Sequence, residues 1–137
     1  MANRPDRLKE HARVRLMDYW IVKDGKKIQL PLQEDGYVGH FGDMINFVLK
    51  RVLRELDFPW SYNISEDRIE FKYINGIKDT IRTEFAYLTK TSDVRDGDLI
   101  NLCVYANKAY TNFYCYPSPK EDDDKNFICF ISFKLIA

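Results

Sequence analysis

Residues 43–57 read DMINFVLKRVLRELD, and this stretch decides the fold class. Its apolar side chains recur every three or four positions, which places them along one side of an α-helix. The members of this apolar stripe are Ile45, Val48, Leu49, Val52, Leu53 and Leu56. Asp43 is suited to the N-cap, and Pro59 ends the helix by the preceding residue. The stripe must be buried, so a second layer of structure is required to cover it.

Seven segments around this helix have the alternating or continuous apolar character of β-strands. They cover residues 14–23, 26–32, 67–74, 77–88, 99–106, 109–116 and 127–136. Asp24-Gly25 and Asn75-Gly76 lie between consecutive segments and tolerate the positive φ angles of tight hairpin turns. Residues 77–88 also fit a helical spacing, and the turn before them favours a strand.

The order of these elements predicts a single α+β domain over residues 1–137, a length that suits one domain. A curved antiparallel sheet of about six to seven strands is expected to pack against one long helix, because the sheet offers the apolar face that the helix needs. Pro5 is placed to begin a short N-terminal helix. Residues 127–136 start apolar on both faces, which indicates an interior strand or an interface.

The charge and cysteine content exclude several classes of protein. The 21 basic residues balance the 21 acidic ones, so a nucleic-acid partner is not expected from the overall charge. Cys103, Cys115 and Cys129 match no zinc spacing and fall in apolar segments, which indicates buried, reduced thiols and a cytoplasmic location. No apolar run is long enough to span a membrane.

A glycine-rich stretch, residues 35–43, comes immediately before the long helix and is the first candidate site. Three glycines three positions apart let backbone N–H groups approach a ligand, and the helix N-terminus adds unpaired donors and a positive dipole end. The candidate ligand-binding residues for a phosphate or carboxylate are Gly36, Gly39, His40, Gly42 and Asp43. In the alternative interpretation, each glycine only serves a turn.

The segment 109–116 is the second candidate site, because alternation places four polar-tipped side chains on one strand face. These residues are Tyr110, Asn112, Tyr114 and Tyr116. Tyrosine buries a large area at low entropic cost and keeps a hydroxyl for hydrogen bonding, which suits a protein interface or a pocket where a purine ring stacks. The alternative is an ordinary half-buried sheet face with its hydroxyls in water.

The residue inventory offers no catalytic, metal or cofactor motif. His11 and His40 are the only imidazoles, and no serine lies in a nucleophile elbow. Asp93, Asp96 and Asp98 surround Gly97 without the ligand order of a calcium loop, so a turn is expected there. The sequence therefore predicts no catalytic residue, no metal and no cofactor, and the protein is not expected to be an enzyme.

These observations lead to a non-enzymatic binding or inhibitor-type protein that sequesters or occludes a partner. A protein partner or a small anionic ligand is expected, no membrane partner, and self-association as a homodimer. One alternative is a protein that binds a nucleotide or another phosphorylated molecule, and a second alternative is an enzyme of unidentified reaction. An origin in a phage or mobile element is a working hypothesis for a small, motif-poor domain of this kind.

Overall fold

A computed structural model describes residues 12–32, 37–56, 75–91, 95–121 and 124–136 of the chain. The elements in chain order are β1 (Arg13–Lys23), β2 (Lys26–Gln29), β3 (Tyr37–His40), α1 (Phe41–Glu55), α2 (Asn75–Thr91), β4 (Leu99–Asn107), β5 (Phe113–Tyr116) and β6 (Lys125–Ile136). The short N-terminal helix expected after Pro5 and the strand expected at 67–74 lie outside the described residues.

The strands form one antiparallel sheet, and its six strands within the described part of the chain agree with the number expected. The order is β2-β1-β6-β4-β5, and β3 pairs with the first half of β1. β6 therefore lies between β1 and β4, which confirms an interior position for the segment that is apolar on both faces. The α+β class and the antiparallel sheet are both confirmed.

Two of the three predicted turns are present, at Asp24-Gly25 and at Asp96-Gly97, whereas the turn expected at Asn75-Gly76 is replaced by the start of a helix. Asp24 and Gly25 have φ angles of 54° and 75°, as a two-residue hairpin turn requires. Gly97 has φ of 90° and precedes β4. Local turn chemistry thus determines where the chain reverses into β2 and where it enters β4.

Helix α1 buries the predicted apolar stripe, but it begins two residues earlier than the sequence indicates. His40 is the N-cap in extended conformation, and Asp43 lies within the first turn. The reason is that β3 continues directly into the helix: the N–H of Phe41 donates to the carbonyl of Ala12 at 2.8 Å. Pairing with β1 therefore determines the start of the helix.

The expectation of a strand at 77–88 and of only one long helix is wrong. Residues Asn75–Thr91 form helix α2. Ile77, Ile81 and Phe85 follow a spacing of four and are fully buried, and this repeat outweighs the Asn75-Gly76 hairpin signal. The hydroxyl of Thr80 donates to the carbonyl of Gly76 at 3.1 Å, within the first turn of α2.

Both helices lie on the same face of the sheet, where their apolar residues and those of the strands form the core. α1 contacts β1 and β3, and α2 contacts β4 and β5. Among the described residues, no helix is both long and apolar enough to cross a membrane. The sheet face turned away from both helices is therefore the other large surface that the strands create.

Candidate functional site

The glycine-rich stretch forms a regular junction between a strand and a helix. Gly39 and His40 belong to β3, and Gly42 and Asp43 to the first turn of α1, whereas Gly36 lies outside the described residues. Gly42 is buried, and Asp43 is exposed. One of the helix N-terminal donors, the N–H of Phe41, is already hydrogen bonded. Anion binding by the remaining donors stays a prediction.

The tyrosine segment is divided by the structure into a turn and a short strand. Only Tyr114 and Tyr116 lie in β5, where they share one face of the sheet. Tyr110 has φ of 57° and packs against the core, and Asn112 is exposed in the same turn. The expectation of a continuous strand over 109–116 is therefore wrong, and the four residues do not form a single row.

The turn at 107–112 is held by the side chain of Asn107, which explains why β5 starts late. Its Oδ1 accepts from the N–H groups of Thr111 at 2.8 Å and Asn112 at 3.1 Å. Its Nδ2 donates to the hydroxyl of Thr111 at 2.8 Å. An asparagine side chain that satisfies local backbone groups in this way competes with strand pairing.

Tyr114 and Tyr116 belong to a larger cluster on the sheet face turned away from the helices. We call this cluster the aromatic face; its members are Trp20, Tyr105, Tyr114, Tyr116, Phe127 and Phe130. Strand pairing aligns them, because cross-strand partners point to the same face of a sheet. Trp20 is opposite Phe130, and Tyr105 is opposite both Phe127 and Tyr114. Cys103 is the cross-strand partner of both Phe130 and Tyr116, so these two rings flank it on the same face. Four strands, β1, β6, β4 and β5, contribute to the cluster.

Ring contacts link five of the six members of the aromatic face, and Tyr114 adjoins them as the cross-strand partner of Tyr105. Trp20 lies over Phe130 with centroids 5.2 Å apart and contacts Phe127 at 5.3 Å. Tyr105 meets Phe127 edge-on at 5.4 Å and Tyr116 at 5.7 Å. All members except Tyr105, which is 5% exposed, are half-buried residues. Cys103 lies beneath these rings and is 1% exposed.

Three lysines surround the aromatic face, and each ammonium lies over a ring. Lys27 Nζ is 4.6 Å from the centroid of Trp20. Lys120 Nζ is 5.2 Å from the centroid of Tyr116, and Lys125 Nζ is 4.9 Å from that of Tyr114. Cations in this position interact favourably with the ring quadrupole and add positive charge to an otherwise uncharged surface.

The segment 117–121 is attached to the aromatic face through Tyr105. The Tyr105 hydroxyl accepts from the N–H of Lys120 at 2.8 Å and lies 3.3 Å from the Lys120 carbonyl, to which it can donate. This attachment explains why Tyr105 is less exposed than its neighbours. It also positions the Lys120 side chain above Tyr116.

The rest of this sheet face is polar. Ser132 donates to Asn101 Oδ1 at 2.8 Å, and Gln29 donates to the carboxylate of Asp18. Beyond these residues, Arg15 of β1 and Lys134 of β6 are cross-strand neighbours, at the end of the sheet farthest from the aromatic rings. One face of the sheet therefore has an aromatic half and a polar, basic half.

The two candidate sites lie far apart. His40 is opposite Arg13, at one end of β1, and the aromatic face begins at Trp20, roughly 20 Å away along the extended chain at about 3.3 Å per residue. Tyr114 and Tyr116 are farther still, on β5. One small ligand does not reach both the start of α1 and the tyrosines.

The cysteines and the acidic residues form no reactive centre in the part of the chain described. Cys103, Cys115 and Cys129 are free and buried, as expected, and burial raises the pKa of all three thiols. Burial also raises the pKa of Glu84 on α2, and the negative charge of Glu84 further raises the pKa of the Cys115 thiol. The described His, Cys, Asp and Glu side chains include no group suited to holding a metal ion.

Sequence reasoning missed four members of the aromatic face, namely Trp20, Tyr105, Phe127 and Phe130. Each lies in a segment correctly predicted as a strand, so alternation alone could have assigned each to one of two faces. Strand order was the missing information, since it brings β1 beside β6 and β4 beside β5.

Comparison of the chain with protein-family models, with curated proteins and with solved structures finds no match in any of the three.

Proposed function

We propose that this protein is a non-enzymatic binding protein that sequesters or occludes a partner, and that the aromatic face is its binding surface. The single observation that supports the proposal is the cluster of six aromatic side chains on the sheet face turned away from the helices, five of them linked by ring contacts and five of them half-buried. Large aromatic side chains contribute most of the binding energy at many interfaces.

The composition of the face supports binding rather than only structure. Core packing requires apolar side chains, whereas this cluster combines rings with tyrosine hydroxyls and lysines at its edge. Such a mixture of an aromatic centre and a polar rim is typical of recognition surfaces. The two helices in the described part of the chain occupy the opposite face and cover its apolar side chains there.

The test passes an extract over immobilised protein and asks whether a partner is retained. It compares the wild type with a variant of the aromatic face. Tyr114→Ser combined with Tyr116→Ser removes two half-buried rings of β5. Tyr87→Ser is the matched control, because Tyr87 is 60% exposed and lies on α2. Circular dichroism confirms that each variant is folded before the comparison.

We expect a partner retained by the wild type and by Tyr87→Ser, and lost by the double variant. Equal retention by all three proteins would show that the aromatic face is not the binding surface. Treating the extract with nuclease beforehand separates a protein partner from a nucleic acid.

The homodimer expected from the sequence remains a second prediction, which competes for the same face of the sheet. One of its reasons was the apolar β6, which is accounted for within a single chain by its interior position. The other reason was the tyrosine segment 109–116, of which Tyr114 and Tyr116 belong to the aromatic face, a surface that two copies of the chain would cover mutually. Light scattering at micromolar concentration decides between a dimer and a monomer.

A further inference from the structure

The balanced charge of the whole chain does not describe the sheet face that carries the aromatic cluster. Strand pairing and alternation place five cationic residues on this face, but one carboxylate, Asp18, among the described strand positions. The five cations are Arg13, Arg15, Lys27, Lys125 and Lys134. Lys120 adds a sixth from the neighbouring loop, where Glu121 and Asp124 are also exposed. The face is therefore basic although the protein is neutral.

The lysines near the rings are distributed across the width of the sheet. Trp20 with Lys27 is on the β1 side, and Tyr114 and Tyr116 with their lysines are on β5, three strand spacings away. Neighbouring strands lie about 4.8 Å apart, so these two groups are separated by roughly 14 Å. A ligand that contacts both needs negative charge repeated along its length.

Rings between the lysines specify a second property of the ligand. Flat π-faces stack on exposed aromatic side chains, and in nucleic acids these faces are accessible when the strand is unpaired. A duplex presents phosphates but hides its bases in the stack, so it would use only the lysines. The combination of spaced cations with rings between them is that of a stacking platform for a single strand.

We infer that the aromatic face binds single-stranded nucleic acid, with bases stacked on the rings and phosphates beside Lys27, Lys120 and Lys125. This inference rests on the proposed function and names its partner. It departs from the expectation based on overall charge, because binding depends on the charge of the contacting face and not on that of the whole chain. A second copy of the chain would bring basic residues against basic residues, which opposes mutual coverage of the two faces.

The experiment uses the fluorescence of Trp20 as a reporter within the site. The chain has two tryptophans, so Trp60→Phe leaves Trp20 as the only one. A short oligothymidylate is titrated into this protein at several salt concentrations. Stacking of a base on or beside Trp20 quenches its emission, and matched duplex DNA, thymidine monophosphate and inorganic polyphosphate are titrated in parallel.

Two triple variants in the same background separate a local from a general charge effect. Lys27→Gln, Lys120→Gln and Lys125→Gln remove the cations beside the rings. Lys50→Gln, Arg54→Gln and Lys90→Gln remove the same total charge from exposed positions of α1 and α2. Thermal unfolding of each variant verifies that it is folded.

We expect the oligothymidylate to quench Trp20 and to bind more tightly than the duplex, the mononucleotide or polyphosphate. The ring-side variant should bind more weakly, and its log–log salt slope should be shallower by about 2, at about 0.7 per phosphate contact for single strands. The helix-side variant should retain the slope of the parent.

Equal weakening in both triple variants, equal affinity for the duplex, or no quenching at all would overturn the inference. The proposed function can survive that result. A nuclease-resistant protein partner that the Tyr114→Ser/Tyr116→Ser variant loses would show that the aromatic face binds a protein and not a nucleic acid.

Discussion

Phe41, the first residue of α1, stacks on Phe85 of α2 with ring centroids 3.7 Å apart and ring planes 15° from parallel. Phe133 of β6 meets the Phe41 ring edge-on at 5.5 Å. Both rings of the stacked pair are buried. The pair thus joins the two helices to each other and to the central strand, at the point where β3 becomes α1.

Replacing Phe85 by alanine should therefore lower the free energy of unfolding by about 3–5 kcal/mol, the range for emptying a buried phenylalanine site. Urea unfolding followed by circular dichroism measures the change. Tyr87→Ala is the control on the same helix, and because Tyr87 is 60% exposed its effect should stay within about 0.5 kcal/mol. Similar losses for both variants would contradict the packing described.

Tyr105→Phe removes the hydroxyl that attaches Lys120 to the aromatic face and leaves the ring in place. The expected loss of stability is about 1 kcal/mol, the net value of a typical intramolecular hydrogen bond. Hydrogen exchange should show faster exchange at the Lys120 amide, while amides of β6 keep their protection. Unchanged exchange at Lys120 would mean that the segment 117–121 is held by other contacts.

Native protein should react very slowly with thiol reagents at neutral pH. Cys103, Cys115 and Cys129 are buried, and burial raises their thiol pKa, so both access and the thiolate fraction are low. All three thiols should react rapidly in denaturant. Fast labelling of one thiol in native protein would reveal local opening, and peptide mapping would identify the strand involved.

The contribution of Glu84 to stability should fall as the pH rises through the range just above the ordinary glutamate pKa of about 4.3. Burial raises the pKa of Glu84, so the folded state binds its proton more tightly than the unfolded state does. The stability that Glu84 gains from this tighter proton binding is therefore fully present below its pKa in the unfolded state. It is lost as the pH rises through its pKa in the folded state. Glu84→Gln should remove that part of the pH dependence of Tm and stabilise the protein at neutral pH.

Arg82→Gln is a suitable control for this pH profile, because Arg82 lies on the same helix and pairs with Asp79 at 3.3 Å, near the surface. Its profile should parallel that of the wild type in the acidic range. A Glu84→Gln profile indistinguishable from that of the wild type would show that the carboxyl is equally solvated in both states.

Several elements follow directly from the sequence because their signals are local. The apolar stripe of α1 and the Asp24-Gly25 turn are both determined by residues that are close to one another in the sequence. α2 was missed because Asn75-Gly76 is a strong hairpin signal, yet a hairpin also needs a partner strand, and the burial of Ile77, Ile81 and Phe85 favours a helix. Tertiary packing decided between two patterns that the sequence contains equally.

The candidate surface was only partly accessible to sequence reasoning. Tyr114 and Tyr116 were identified by alternation within one strand. Tyr110 was misassigned to a strand because the Asn107 side chain accepts hydrogen bonds from the backbone of the following turn and so delays the start of β5. The alternation of side chains along a strand gives no information on such a contact. The contributions of β1 and β6 depend on which strands are neighbours, and that is set by long-range packing of the core.

Trp20 and Phe130 are far apart in the chain and become neighbours only when β1 pairs with β6. Contacts of this kind close a large loop and are slow to form, so this pairing is expected to limit the folding rate. Partially folded chains that have made only the β1–β2 hairpin or the β4–β5 hairpin lack the assembled cluster. The binding surface proposed above is consequently absent from nascent or misfolded molecules, and in the Trp60→Phe background the emission of Trp20 should report its assembly in a kinetic refolding trace.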